Sequence, residues 1–435
     1  MIEIEKAFFY DGDEMTAEIL QGFIEKHRQN CLRYEELHRL YQGFHDILYT
    51  PDKPNFKPDN RLVANYAKYI VDTFNGYFMG IPVKTSHDEE AVSAFIQAFE
   101  SRMDIDDLNA EISKKTSIFG HCYELLYTDE DGQVGSAYIE PSEAFIIYDM
   151  SIRERPLYGV RYQMMEHGAR GSISDEEKII YFDTDDKGKI VFEDEEVDHY
   201  FGEVPLIEYV ENEERQGAFE NVETLINAYN KAISEKANDV DYFADAYMKI
   251  LGSLVDRETL ESIRDNRIIN MRAPDTTNLV VEFMDKPDGD ETQENLINRL
   301  EMLIFNISMV ANINDKDFGA SSGIALRYKL QSMSNLANTK ERKFTKGFRR
   351  RYRLIAGLVN TPIYPEDVYG LNFMYTRNTP ANLLEEAQTA NLLTNLVSDE
   401  TALNTLSVVG DVKAELERIK DEAAPLPLYD EDFER

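Results

Sequence analysis

The sequence predicts an α+β fold, mostly helical and built in several parts. Apolar residues recur at helical spacing over long stretches on both sides of a central region, about residues 120–210, where they alternate instead. A chain of 435 residues exceeds one ordinary domain and implies two to four structural parts. Its hydrophobic content of 43%, with 25 Tyr and 23 Phe, is ample for folded cores.

The elements follow in order. Residues 12–50 read as two helices breaking near Asn30, and the PDKPNFKPD loop with its three prolines ends them. Residues 60–80 form an apolar helix carrying Val63, Tyr66, Ile70, Phe74 and Phe78, stopped at Gly80-Ile81-Pro82. Two shorter helices are expected at about 88–101 and 104–119. A meander of short strands comes next: CYELLYT, a turn at Asp131-Gly132, VGSAYIE, LYGVRYQMM, KIIYFDT, a turn at Lys187-Gly188, KIVFED and VPLIEYV. From Phe219 to Tyr247 a helix about 43 Å long, at ~1.5 Å per residue, presents Val222, Leu225, Ile226, Tyr229, Ile233, Ala237, Val240 and Phe243 on one face. Residues 248–287 form a small mixed insert, with a helix at 257–265 and strands near 267–272 and 278–284.

The next helix carries Leu296, Leu300, Leu303, Ile307 and Val310 as one apolar stripe. A Gly/Ser connector, DKDFGASSG, leads into a long helix that ends at Thr361-Pro362. VYGLNFMYTR reads as a strand, and NTPANLLEEAQTANLLTNL, SDETALNTL and GDVKAELERIKDE as helices capped by Asn378 or Thr379 and by Ser398 or Asp399. An acidic tail closes the chain.

A net charge of −36 and a pI near 4.5 argue against general adhesion to nucleic acid or anionic membranes. Two cysteines, Cys31 and Cys122, give no disulfide framework and point to a reducing compartment. No run of transmembrane length or signal-peptide character is read, so a soluble intracellular chain is expected, with no membrane partner.

Catalytic motifs fail. P-loop, HExxH and paired CxxC patterns are absent, and no cofactor or metal site is expected. DTDDKG (183–188) resembles an EF-hand start, but Lys187 occupies a ligand position and Asp194 replaces the closing Glu, so it reads as a hairpin turn. Gly319-Ala320-Ser321-Ser322-Gly323 fits the G-x-S-x-G elbow. A helix precedes it where a strand is required, and no histidine follows His199, so an enzyme built on Ser321 is not expected. Against the global sign, residues 340–353 hold eight Lys/Arg and one Glu: Lys340, Arg342, Lys343, Lys346, Arg349, Arg350, Arg351 and Arg353. Such a run pairs with acids of a neighbouring segment or subunit, touches phosphate, or faces solvent; the sequence leaves these readings open.

Taken together, the pieces resemble the portal proteins of long-tailed double-stranded DNA bacteriophages, in their Gp6-like subfamily. The resemblance rests on NRLVANYAKYIVDTFNGYFMGIPV (60–83), SIFGHCYELLYTDEDG (117–132), the 204–250 stretch from VPLIEYV to YFADAYMKI, the helix–loop–helix at 291–360, and FMYTRNTPANLLEEAQTANLL with SDETALNTL. It covers nearly the whole chain and includes no catalytic signature.

The resemblance implies a subunit of a homo-oligomeric ring, usually a dodecamer, at one capsid vertex of the virion, assembled in the host cytoplasm. DNA would be packaged and ejected through it, and terminase, capsid and scaffold proteins and the head–tail connector would dock on it. Laid onto this chain, it gives a wing (1–218), a stem helix (219–247), a clip (248–287), a second stem helix (288–311) and a tunnel loop (312–322). A long bridging helix (323–360), a wing return strand (361–378), a crown (379–422) and the tail (423–435) complete it. The loop would bring Asn314, Asp315, Lys316, Asp317, Phe318, Gly319, Ser321 and Gly323 to the channel, Lys316 being its only base. Duplex DNA carries one charge per ~1.7 Å, so an acidic lumen suits passage better than a basic one. Glu235, Asp239, Asp241, Glu291, Glu294 and Glu301 are the stem acids that could line it. The competing reading is an acidic oligomeric adaptor that encloses no DNA.

Overall fold

The computed structural model describes residues 5, 7–12, 14–54, 57–244, 248–251, 280–283, 290–313, 323–359, 361–379, 383–394, 396–403, 405–406, 408–409 and 412–423. Its first half is a helix-backed pair of sheets. Strand β1 (Phe8–Tyr10) precedes helix α1 (Ala17–Tyr41), which Thr16 opens by accepting the Ile19 amide at 3.4 Å. The expected break near Asn30 does not occur, and α1 is one helix. Asn30 is buried, and its side-chain amide donates to the Glu5 carbonyl at 2.9 Å, so its polar group is satisfied without ending the helix.

Helices α2 (Tyr66–Met79), α3 (Glu90–Arg102) and α4 (Ile105–Phe119) follow, with the short strand β2 (Lys84–Ser86) between α2 and α3. The expected single meander is instead divided between two sheets. Strands β3 (His121–Thr128), β4 (Val134–Ile139) and β10 (Leu206–Val210) form one, in order β10-β3-β4. Between them in sequence, β5 (Ala144–Asp149), β6 (Pro156–Met165), β7 (Gly168–Ser174), β8 (Lys178–Thr184) and β9 (Ile190–Asp198) form an antiparallel run. β1 joins this larger sheet parallel to β5, with Phe8 opposite Ile147. Strand β5 escapes an alternation search because its first four residues are all buried, as in a strand covered on both faces. The β8–β9 turn is the hairpin expected from DTDDKG: the Asp185 carboxylate accepts the Lys187 and Lys189 amides, and Gly188 takes a φ of 77°.

One core lies between α1 and the larger sheet, where Leu20, Phe23 and Ile24 meet Phe145, Val160, Tyr162 and Phe182. The largest core joins α2 and α4 to the smaller sheet and to the long basic helix.

Helix α5 (Glu223–Ala244) begins one short 3-10 turn later than expected, and residues 245–247 lie outside the described residues. Strands β11 (Met248–Leu251) and β12 (Val280–Phe283) pair antiparallel, which bears on the strand expected near 278–284; the expected helix at 257–265 and strand near 267–272 lie outside the described residues. Helix α6 (Asp290–Ser308) follows. The long helix expected from 323 is two: α7 (Gly323–Lys329) and α8 (Gln331–Ala356), separated at Leu330. The VYGLNFMYTR strand shrinks to β13 (Asn372–Met374), which pairs with β2. Three C-terminal helices, α9 (Leu383–Leu393), α10 (Asp399–Leu403) and α11 (Val412–Ala423), match the expected order. Ser398 accepts the Thr401 amide and caps α10.

Candidate functional site

The basic run lies on α8, and its residues separate by face. Met333, Ala337, Lys340, Phe344, Phe348, Arg351, Tyr352 and Ile355 form the buried stripe. Two of these are cations. Lys340, at 0% exposure, sends its ammonium to Glu211 at 2.7 Å, to the Ser113 carbonyl at 2.8 Å and to Ser117 Oγ at 2.8 Å, using all three donors. The rings of Phe74, Phe78 and Phe344 lie 5.2, 5.4 and 5.3 Å from it. Burial pulls the Lys340 pKa down, and the Glu211 carboxylate opposes that.

Arg351, at 1% exposure, donates from Nε to Glu124 at 2.6 Å and from Nη2 to Asn109 Oδ1 at 2.8 Å. Glu124 also accepts from the hydroxyls of Ser136 at 2.5 Å and Tyr209 at 2.7 Å. Burial disfavours the guanidinium charge, but Glu124 together with Tyr209 and Tyr352 outweighs it and holds the Arg351 pKa above its ordinary value. Gly347 lies between these cations in sequence, where a Cβ would sit 2.4 Å from the Tyr209 ring, so the helix approaches β10 too closely for a side chain.

Around this buried stripe, Lys343 pairs with Glu213, and Arg350 and Arg353 both face Glu203. Arg342, Lys346 and Arg349 are exposed. Five of the eight bases are therefore matched by acids earlier in the same chain.

Helices α5 and α6 run antiparallel. At one end of the pair, Tyr66 packs edge-on against Tyr229 and Phe305, with centroids at 5.0 and 5.5 Å; farther along, Gln293 donates to Asp239 at 2.6 Å and Lys236 pairs with Glu294. Their buried faces differ from the expected stripes. On α6 the buried residues are Ile297, Leu300, Ile304 and Ser308, whereas Leu296 and Ile307 are 52% and 47% exposed. On α5 the buried line continues from Ile226 into Asn230, Ser234 and Asn238, while Val240 is exposed.

Those three polar residues form a ladder with the chain before α2. Asn230 Oδ1 accepts the Ala64 amide at 2.8 Å, Ser234 Oγ the Leu62 amide at 2.9 Å, and Asn238 Oδ1 the Asn60 amide at 2.6 Å. The periods agree: four helical residues rise about 6 Å, and two extended residues span about 6.6 Å. Sequence reasoning missed these residues because it followed apolar spacing; the available signal was N-x-x-x-S-x-x-x-N on one helix.

Most of the acids expected to line a channel have partners within the chain. Glu235 is held by Lys53 at 2.8 Å, a hydrogen bond that lowers its pKa; Asp241 accepts from Asn60 Nδ2 at 2.5 Å and Glu301 from Asn312 at 3.3 Å. With Asp239 and Glu294, that leaves Glu291, which is exposed. Of the expected loop residues only Gly323, the first of α7, is described; Asn314, Asp315, Lys316, Asp317, Phe318, Gly319 and Ser321 lie outside the described residues. Among the described residues no group of three or more His, Cys, Asp or Glu could hold a metal ion, and no helix is long and apolar enough to cross a membrane.

Known proteins share this sequence pattern. A curated relative, the portal protein of Clostridium phage phiCD119, is 22% identical over 391 residues, covering 83% of this chain and 84% of its own length. A solved chain described as the neck of an empty GTA particle computed with C6 symmetry is similar at a TM-score of 0.47 and 9% identity, over 78% of this chain and 89% of that one. The family described as phage portal protein, SPP1 Gp6-like, matches residues 20–425, nearly the whole length. The chain belongs to that family of phage portal proteins.

Proposed function

We propose that this protein is the repeated subunit of a ring at the capsid vertex, through which double-stranded DNA enters and leaves the virion. The observation that carries the proposal is the family match across residues 20–425. The physics of the stem supports it. A closed ring needs heterologous interfaces, and α5 and α6 leave Val240, Leu296 and Ile307 exposed where a neighbouring copy would cover them. The net charge of −36 keeps duplex DNA from adhering to the conduit.

In this reading α5 and α6 form the stem, and the β11–β12 pair belongs to a clip that meets the terminase motor and later the head–tail connector. Residues 312–322 form the loop at the channel, and α9–α11 form a crown toward the capsid interior. The chain performs no chemistry of its own. Glu291 is the stem acid freest to face the lumen. The ladder from Asn230 to Asn238 and the cations Lys340 and Arg351 fix the stem and the bridging helix to a common wing, so that force on the channel is borne by the wing core.

The test is deletion of residues 316–322 in a phage carrying this gene. Rings are expected to assemble and DNA packaging to fail. Normal packaging would remove the channel-loop assignment, and loss of ring formation would make the segment an assembly element.

A further inference from the structure

Five bases of the basic run pair with acids of this chain, and the other three form a separate surface. Arg342, Lys346 and Arg349 are exposed and spaced by four and three residues, so they share one face of α8 over about 10 Å. Among the described residues no carboxylate lies within ion-pair distance of any of the three; the one polar contact is Arg342 Nη2 to Thr339 Oγ1 at 3.2 Å on the same helix. Beside them, Lys343 and Arg353 do reach carboxylates of this chain, Glu213 and Glu203. The face therefore already binds acids along its flank and presents three further cations without them.

The geometry points to the Arg342–Lys346–Arg349 stripe as a docking surface for the acidic face of a second copy of this chain. Charge complementarity selects that occupant: the chain has 82 Asp and Glu against 46 Lys and Arg, so a neighbouring copy presents a carboxylate-rich surface. Duplex DNA is the weaker match, because the remaining surface of the same subunit repels it. The inference rests on the ring proposed above and assigns to α8 a share of its subunit contacts.

The experiment uses the full chain and reads ring population by native mass spectrometry across a salt series. R342E/K346E/R349E is compared with wild type and with the charge-preserving R342K/R349K, and circular dichroism melting controls for folding. The wild type and R342K/R349K are expected to form rings that dissociate as salt rises. In the triple reversal rings are expected to be lost, or to dissociate at about half the wild-type salt concentration or less, with unchanged melting. Rings from the reversal with the wild-type salt response would overturn the inference and leave the ring itself standing. Wild-type monomers at every salt concentration would overturn both. Normal rings that lose the wild-type affinity for a short duplex oligonucleotide would assign the stripe to phosphate and equally overturn the inference.

Discussion

Replacing Arg351 by Met should uncouple helix α8 from the smaller sheet. Arg351 and Glu124 are both essentially buried, and their charged atoms lie 2.6 Å apart. At an effective dielectric near 20 that separation corresponds to about 6 kcal/mol of attraction. The desolvation of both groups opposes it. Truncation therefore costs less than the full Coulomb figure but leaves the Glu124 carboxyl group buried with only the Ser136 and Tyr209 hydroxyls as side-chain partners among the described residues. The expected loss is about 3–5 kcal/mol. At roughly 2–4 °C per kcal/mol for a unit of about 150–250 residues, the melting transition should fall by about 10 °C. The second arm is Glu124→Gln. The double variant removes both charges, so it should be less destabilised than the sum of the two single changes, by about 2–3 kcal/mol. Differential scanning calorimetry and urea titration of the four proteins read the cycle. An Arg351→Met cost below about 1 kcal/mol, or simple additivity, would refute the assignment of this pair as the lock between α8 and the smaller sheet.

Three further predictions concern single residues. His27 bonds Tyr162 and the Pro141 carbonyl at 2.8 Å each, and burial lowers its pKa from 6.5 to about 4; the unfolded chain thus binds the proton first, and stability is expected to fall by about 3 kcal/mol as pH drops from 6.5 to 4. A His27→Gln variant should show a shallower decline in that window by urea titration, and an unchanged slope would remove His27 as its source. Asn230→Ala and Asn238→Ala each strand a backbone amide, at Ala64 and Asn60, for about 1 kcal/mol apiece; hydrogen exchange should speed up at those two amides while the α1 core keeps its protection. Ser321→Ala should leave packaging unchanged, and a loss of function specific to that hydroxyl would reopen the hydrolase reading.

Much of the architecture was legible because amphipathic period is a strong signal. The helices at 90–102 and 105–119 and most of the hairpin strands lie where spacing and turn residues place them, whereas the helix expected from residue 60 starts at Tyr66, because the Asn60, Leu62 and Ala64 amides go to Asn238, Ser234 and Asn230 instead. What failed did so for identifiable reasons. Asn30 looks like a break until the Glu5 carbonyl supplies its partner, a contact across 25 residues. Strand β5 is buried along most of its length, so it never alternates, and β7, GARGSIS, is too poor in apolar residues to show any period. The stripe on α5 came out rotated because its buried face turns polar at Asn230, Ser234 and Asn238, where an extended segment, not a core, is the partner. For the basic run, local density was visible but its division was not: residues at 340 and 351 meet Glu211 and Glu124, acids more than 100 positions away.

Electron microscopy of the purified protein in negative stain, with axial views classified by symmetry, tests the central claim most directly. The account predicts closed rings with a central hole wide enough for duplex DNA. Monomers or closed oligomers without such a hole, across salt and protein concentrations, would contradict it and favour an acidic adaptor that encloses no DNA.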